Sequence, residues 1–215
     1  MAWSSVVVLL TLFLLLAVST GMLWVLLWRE AGNRYLAALS EWCRTGRHRL
    51  HARWTEPRPP EPLQRFGPGV RVSLALVGRK CALVKFIVDR PVVPPVPAEV
   101  PAGPRRRHVL VWPVDRDWPP IGLRPTHVVD ALVDLLSLPV HLGESTQRFA
   151  VCTADRKLAQ QVFATSLRGL LPADVGLILL GRHLLLDFSD RPFDGIEFNR
   201  MIAVAEQLVS HLPPR

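Results

Sequence analysis

The chain opens on an unbroken apolar run and then alternates. Residues 2–28, AWSSVVVLLTLFLLLAVSTGMLWVLLW, hold no charged side chain, and charge begins at Arg29 and Glu30. A run of 18 or more apolar residues predicts a membrane-spanning helix, because a helix bonds its own backbone groups where no water can. The expected segment is 1–29. At a rise of about 1.5 Å per residue, Trp3 and Trp24 stand roughly 31 Å apart, near the thickness of a bilayer core. Tryptophan favours the headgroup level, so both read as interface anchors, with Trp28 just beyond.

Beyond the run the pattern changes. Over 30–54, Tyr35, Leu39 and Trp42 recur at helical spacing among basic residues, which predicts a basic helix beside the membrane. The stretch 55–65 begins TEPRPPEP, whose four prolines predict an extended spacer. A folded domain is expected over 66–215. RVSLALV (71–77) and CALVKFIV (81–88), joined by Gly78-Arg79-Lys80, predict a hairpin. Residues 91–107 predict a proline-rich surface loop ending in Arg105-Arg106-Arg107. HVLVWPV (108–114) predicts a strand at a sheet edge, since Pro113 has no N–H to donate.

The remaining elements alternate between the two periods. Val128, Val129, Leu132, Leu135 and Leu136 share a helical face over 126–137. RFAVCT (148–153) predicts a strand, and 155–171 a helix opening on Asp155. VGLILLG (175–181), Arg182-His183 and LLLDFS predict a second hairpin, with a closing helix over 194–211. Val72 to Arg79 echoes Val175 to Arg182, and each is followed by Asp-Arg-Pro. The echo raises the expectation of an internal duplication. Hairpins and helices together predict an α+β domain, a mainly antiparallel sheet with helices packed on one face, behind an N-terminal transmembrane helix.

Charge orients the expected span. No Lys or Arg precedes it, whereas Arg29, Arg34, Arg44, Arg47, Arg49 and Arg53 follow. The positive-inside rule places the N-terminus outside and the domain in the cytoplasm of a single-pass cell-membrane protein. Part of the net charge of +8 lies in this arginine cluster, which suits anionic lipid headgroups. Basic positions are not interleaved with aromatic ones on the domain, so a nucleic-acid partner is not expected. Ala17 and Ser19 have the small-residue spacing of a signal-peptidase site. Cleavage there would instead make an exported soluble protein. No basic residue precedes the run and it continues well past that site, which argues for retention.

Candidate chemistry is sparse. Cys43, Cys81 and Cys152 are an odd, scattered set with no Cys-x-x-Cys pair, so neither a disulfide framework nor a cysteine-rich zinc site is expected. His127, Asp130 and Asp134 fall at i, i+3 and i+7, a spacing open to a metal or an acid–base pair. Their neighbours form the apolar face, which leaves them facing water. Asp115, Asp117, Asp187, Asp190 and Asp194 sit near turns and strand ends and suit caps. Ser145, Thr146 and Ser189 lack a G-x-S-x-G context, and no phosphate loop or dinucleotide fingerprint is present. Arg79, Lys80, Arg182 and His183 are expected at hairpin tips. No catalytic, cofactor or metal residue is assigned, and no cofactor is expected.

Arg far outnumbers Lys, and Ala, Val, Leu and Pro dominate. In layout and composition the chain resembles uncharacterised single-pass membrane proteins of actinobacteria with a small cytoplasmic α+β domain. The resemblance carries over no functional residue. The expected function is a membrane-anchored interaction or scaffold domain, with the bilayer and a protein at the membrane as partners. The alternative is a tethered enzyme or small-ligand binder whose site forms only in three dimensions. Oligomeric state is not legible.

Overall fold

The computed structural model describes residues 2–46, 49–51, 61–88, 105–128, 131–146, 148–163 and 166–213. The chain divides into two compact units, Met1–Trp42 and Cys43–Arg215. The first is helical. Helix α1 runs Ala2–Gly46 without a break. Its described side chains from Phe13 to Trp28 are apolar or small and exposed, Phe13 at 71% and Trp28 at 73%. Among the described residues no helix is long and apolar enough to cross a membrane. The helix expected over 1–29 is present as part of α1, but its described residues do not amount to a span.

The second unit is α+β, built on a seven-stranded, wholly antiparallel sheet. Its strands are β1 (Arg49–His51), β2 (Val70–Val77), β3 (Ala82–Val88), β4 (Arg105–Pro125), β5 (Val140–Thr146), β6 (Phe149–Thr153) and β7 (Gly176–Asp187). Neighbours run β1-β2-β3-β4-β6-β5, with β7 joined to β4. The helices are α2 (Arg156–Val162), α3 (Ser166–Leu170) and α4 (Gly195–Ser210), and two 3-10 turns cover Leu63–Phe66 and Leu132–Leu136.

The 21-residue β4 organises the sheet. Its first half lies between β3 and β7, and its second between β6 and β7. Among the described residues only β7 runs alongside from Trp112 to Pro120. The expected edge strand is therefore the central one, and Pro113 is accommodated because β3 has already ended at Val111. Of the loop expected over 91–107, residues 91–104 lie outside the described residues, and Arg105, Arg106 and Arg107 belong to β4, paired with Val88, Ile87 and Phe86.

The second expected hairpin does not form. Residues 176–187 are one strand, paired with β4 from Leu177↔Leu123 to Asp187↔Val109. Gly181 takes a positive φ of 59° inside it. A left-handed glycine serves a bulge as readily as a turn. By contrast, Gly78 does turn, its N–H donating to the Cys81 carbonyl at 2.9 Å. One half of the echo is thus a hairpin and the other a single strand, so the two are not structural repeats. At Gly181 the facing of β7 switches. Ile178 and Leu180 join the same core cluster as Leu185, across an odd number of residues.

Both faces of the sheet are covered, which is why Leu177, Leu179, Leu184, Leu185 and Leu186 are all fully buried. One face carries Val84, Phe86, Val109, Ile178 and Leu185 against Leu63, Phe66, Leu132 and Val133 of the 3-10 turns. Leu63, at the end of the expected spacer, is thus a core residue. Helix α4 contacts β4 and β7 and buries Phe198, Met201, Ala205 and Leu208. The expected basic helix over 30–54 ends at Gly46, and Arg49–His51 instead pairs with β2.

The helix expected over 126–137 is only the 3-10 turn Leu132–Leu136 in its described part. Two carboxylates hold this turn. Asp134 Oδ2 accepts the Ala131 N–H at 2.8 Å, and Asp187 Oδ2 accepts that of Leu132 at 2.9 Å. Such side-chain bonds compete with helical ones. Close by, Gly122 lets the turn press onto β4. The helix expected over 155–171 is two, α2 and α3, although Asp155 caps the first as expected, accepting the Leu158 N–H at 3.0 Å. Strand β5 was not foreseen.

Candidate functional site

Strand β7 ends in a buried polar corner. Asp187 and Arg107 are 6% and 5% exposed, their Oδ2 and guanidinium nitrogen 3.9 Å apart. Asp187 Oδ2 also accepts the Leu132 N–H, while Oδ1 accepts both the backbone N–H of Ser189 (3.2 Å) and its hydroxyl. Ser189 Oγ in turn accepts the His108 backbone N–H at 3.1 Å. The imidazole points elsewhere: its Nδ1 lies 3.0 Å from the Arg191 carbonyl, so that nitrogen carries the proton. A serine, a histidine and an aspartate are neighbours here without the wiring of a nucleophile. The hydroxyl gives its proton to a carboxylate, and the ring bonds a carbonyl. Burial against Phe188 and Phe193 lowers the His108 pKa. Burial likewise lowers that of Lys85, its cross-strand neighbour, whose Nζ sits 5.7 Å from the Phe193 ring.

Below this corner Arg191 forms a clamp. Its Nε and Nη2 donate to the two oxygens of Asp174 at 2.7 and 2.6 Å, and Nη1 donates to Glu197 at 2.6 Å. This fork matches carboxylate geometry and is among the stronger polar contacts a protein makes. It raises the Arg191 pKa, through Asp174 first, and holds the Asp174 carboxyl below its usual range. Asp194 caps α4, accepting the Glu197 N–H at 3.0 Å. These groups fix the 188–197 connection.

Of the residues singled out from sequence the structure brings together Asp187 with Ser189 and Asp115 with Arg182; the others are dispersed. His127 is exposed, Asp134 binds the Ala131 N–H and lies 3.3 Å from Arg124, and Asp130 lies outside the described residues. Asp190 is exposed. Ser145 and Thr146 belong to β5, with side chains outside the described set. Arg79 and Lys80 occupy a true tip, Lys80 lying 3.6 Å from Glu206. Arg182 and His183 are mid-strand rather than at a tip. The three cysteines are free and buried, and burial lifts the thiols of Cys81 and Cys152 to about 11. Among the described residues no group of three or more His, Cys, Asp and Glu side chains could hold a metal ion.

Of the expected membrane anchors, Trp24, Trp28, Arg29 and Arg34 are exposed on α1, Arg34 pairing with Glu30 one turn earlier. Trp3 lies on α1 with its side chain outside the described set, and Arg44 is in the last turn of that helix. Arg49 is exposed in β1, and Arg47 and Arg53 lie outside the described residues.

A concave site lies where sequence offered only Asp115 and Arg182, both as turn residues. Between Pro113↔His183 and Trp118↔Gly181 the register slips, so Val114–Asp117 swell out of β4 opposite Arg182. The swelling and the end of α4 flank a half-open cavity of about 530 Å³, walled by Val114, Asp115, Arg116, Trp118, Arg182, Val209, Leu212 and Pro213. Bulges re-aim side chains and are over-represented beside functional sites. The volume is within the range of small-ligand pockets. The Arg116 guanidinium lies over the Trp118 ring, 4.4 Å from its centre. Trp118 is 2% exposed, and its buried Nε1 has no hydrogen-bond partner among the described residues.

No known protein family, curated protein or solved structure matches the chain.

Proposed function

We propose that the protein is a membrane-anchored binding domain: α1 seats in a bilayer, and the α+β unit is displayed in the cytoplasm as an interaction or scaffold module for a partner at that surface. One observation carries the anchor. Phe13, Leu14, Leu16, Val18 and every residue from Met22 to Trp28 are large apolar side chains standing 53–73% exposed. Consecutive positions point in all directions around a helix, so this one has no polar face to offer water, and such helices are buried or embedded in lipid. The uncharged sequence extends back to Ala2, which would supply the length of a span. The asymmetry of arginines supports an inward-facing domain.

Binding rather than turnover is supported by how the carboxylates are used. Asp134, Asp155, Asp174, Asp187, Asp194 and Glu197 all hold backbone amides or the Arg191 fork. Tethering raises the effective concentration of such a module for partners at the same membrane. The test is a pair of C-terminal fusions to the full chain, one reporter active only inside the cell and one only outside. Activity of the internal reporter alone is expected. Activity of the external one would overturn the orientation and the cytoplasmic partner.

A further inference from the structure

We propose that the cavity at the β4 bulge is a binding site for a carboxylate carrying a short apolar tail. The proposal rests on the binding reading above, which it makes specific, and does not depend on the anchor. The walls divide by chemistry. Val114, the Trp118 ring, Val209 and Leu212 give an apolar floor, and Arg116 and Arg182 give two guanidinium groups against the single carboxylate of Asp115. Guanidinium groups outnumber carboxylates among these walls, so an anion suits them, whereas a cation would have to sit beside two arginines.

Two features point to a ligand rather than to a surface dent. First, neither Arg116 nor Arg182 is paired with a carboxylate among the described residues, while Arg107, Arg124 and Arg191 all are. Second, Arg116 is held flat on the indole face, an arrangement that leaves the edge donors of a guanidinium available to a planar carboxylate. The Trp118 Nε1–H is buried and unmatched behind the ring face, out of a ligand's direct reach but close enough to the cavity wall for its resonance to report a change there. The negative end of α4 also lies nearby. Its Gln207 carbonyl already accepts from Ser210 Oγ at 2.7 Å and His211 Nδ1 at 2.8 Å, which blunts that field. The shape favours a short tail, since about 530 Å³ admits a phenyl or branched alkyl group with its head.

Two sources share this chemistry, a free organic acid and the carboxyl end of a peptide. The test uses the full chain in lipid nanodiscs with indole-¹⁵N tryptophan, titrated with 3-phenylpropionate and, separately, with an N-acetylated Val-Phe dipeptide bearing a free carboxylate. The Trp118 N–H resonance, assigned by W118F, should shift with either probe that binds. A shift with the acid alone names a metabolite, and a shift with the dipeptide names a chain terminus. The amide of each probe should bind at least about tenfold more weakly, because a charge-assisted contact is worth at least about 1.4 kcal/mol. Arg182→Gln, an exposed side chain, should weaken binding to a similar degree while leaving the fold intact. Silence from both probes, or equal binding of acid and amide, overturns the proposal. In either event the same nanodiscs report independently whether the chain has remained in lipid.

Discussion

Gly122 is the point where the two covered faces of the sheet depend on one missing atom. It lies in β4, paired with Ile178 of β7 and Cys152 of β6. A Cβ built there would stand 2.7 Å from Val133 Cγ2 and 2.9 Å from the Leu177 carbonyl oxygen. The valine methyl could turn aside, but the carbonyl belongs to the backbone of β7 and cannot move without disturbing its pairing with β4. Gly122→Ala is therefore an overpacking change, expected to cost about 1–3 kcal/mol. Against a total stability of about 5–15 kcal/mol that is a large fraction. At about 2–4 °C per kcal/mol for a domain of this size, it should lower the midpoint by roughly 2–12 °C. Gly169→Ala in α3 is the matched control. A Cβ there meets nothing within 4 Å, so the change should be neutral or stabilising by up to about 1 kcal/mol. Urea and thermal unfolding of the full chain, followed by near-ultraviolet dichroism, measure both. Equal midpoints for Gly122→Ala and the parent would refute the claim that the Leu177 carbonyl leaves no room for a methyl group at this position.

Further expectations follow from the polar groups. Asp187→Ala removes one carboxylate from beside buried Arg107 and strands the Leu132 and Ser189 amides, and should cost about 2–6 kcal/mol in the same unfolding assay; Asp187→Asn should cost less. Asp174 is held below its ordinary value of 3.8 by the Arg191 fork. A lowered carboxylate stabilises the fold above its unfolded pKa and loses that contribution as pH falls through the folded one. The stability gap between parent and Asp174→Asn should therefore narrow once pH drops below 3.8. His108 is held below 6.5, chiefly by burial, so the unfolded chain takes up its proton first and stability should fall as pH falls below 6.5. A His108→Gln variant should flatten that limb of the pH–stability curve. The three buried thiols should resist iodoacetamide at neutral pH in the folded chain and react fully in guanidinium, as read by intact mass.

Much of the α+β layout could be read from periodicity, because elements with one apolar face announce themselves. The 71–77 and 81–88 strands, the Asp155 and Asp194 caps and the stripe of α4 are of this kind. Sequence failed where a residue type serves two geometries. Gly181 with Arg182 and His183 reads as a turn, yet in a strand covered on both faces it is a bulge. Pro113 reads as an edge marker, yet the edge is local, a stretch of a central strand from which one neighbour has departed. The apolar spacing over 126–137 is helical, but Asp134 and the distant Asp187 capture its amides. No sequence window contains that second partner. The bulge cavity was illegible for the same reason. Arg116 and Trp118 come from β4, Arg182 from β7 and Leu212 from the end of the chain, and only the register slip gathers them.

Alkaline carbonate extraction of membranes from cells expressing the full chain, with the intact mass read on the pellet, tests the anchoring claim most directly. The protein should stay in the pellet with residues 2–28 still attached, and a variant lacking 2–28 should move to the supernatant. Recovery of the full chain in the supernatant, or of a soluble form trimmed near residue 19, would contradict it.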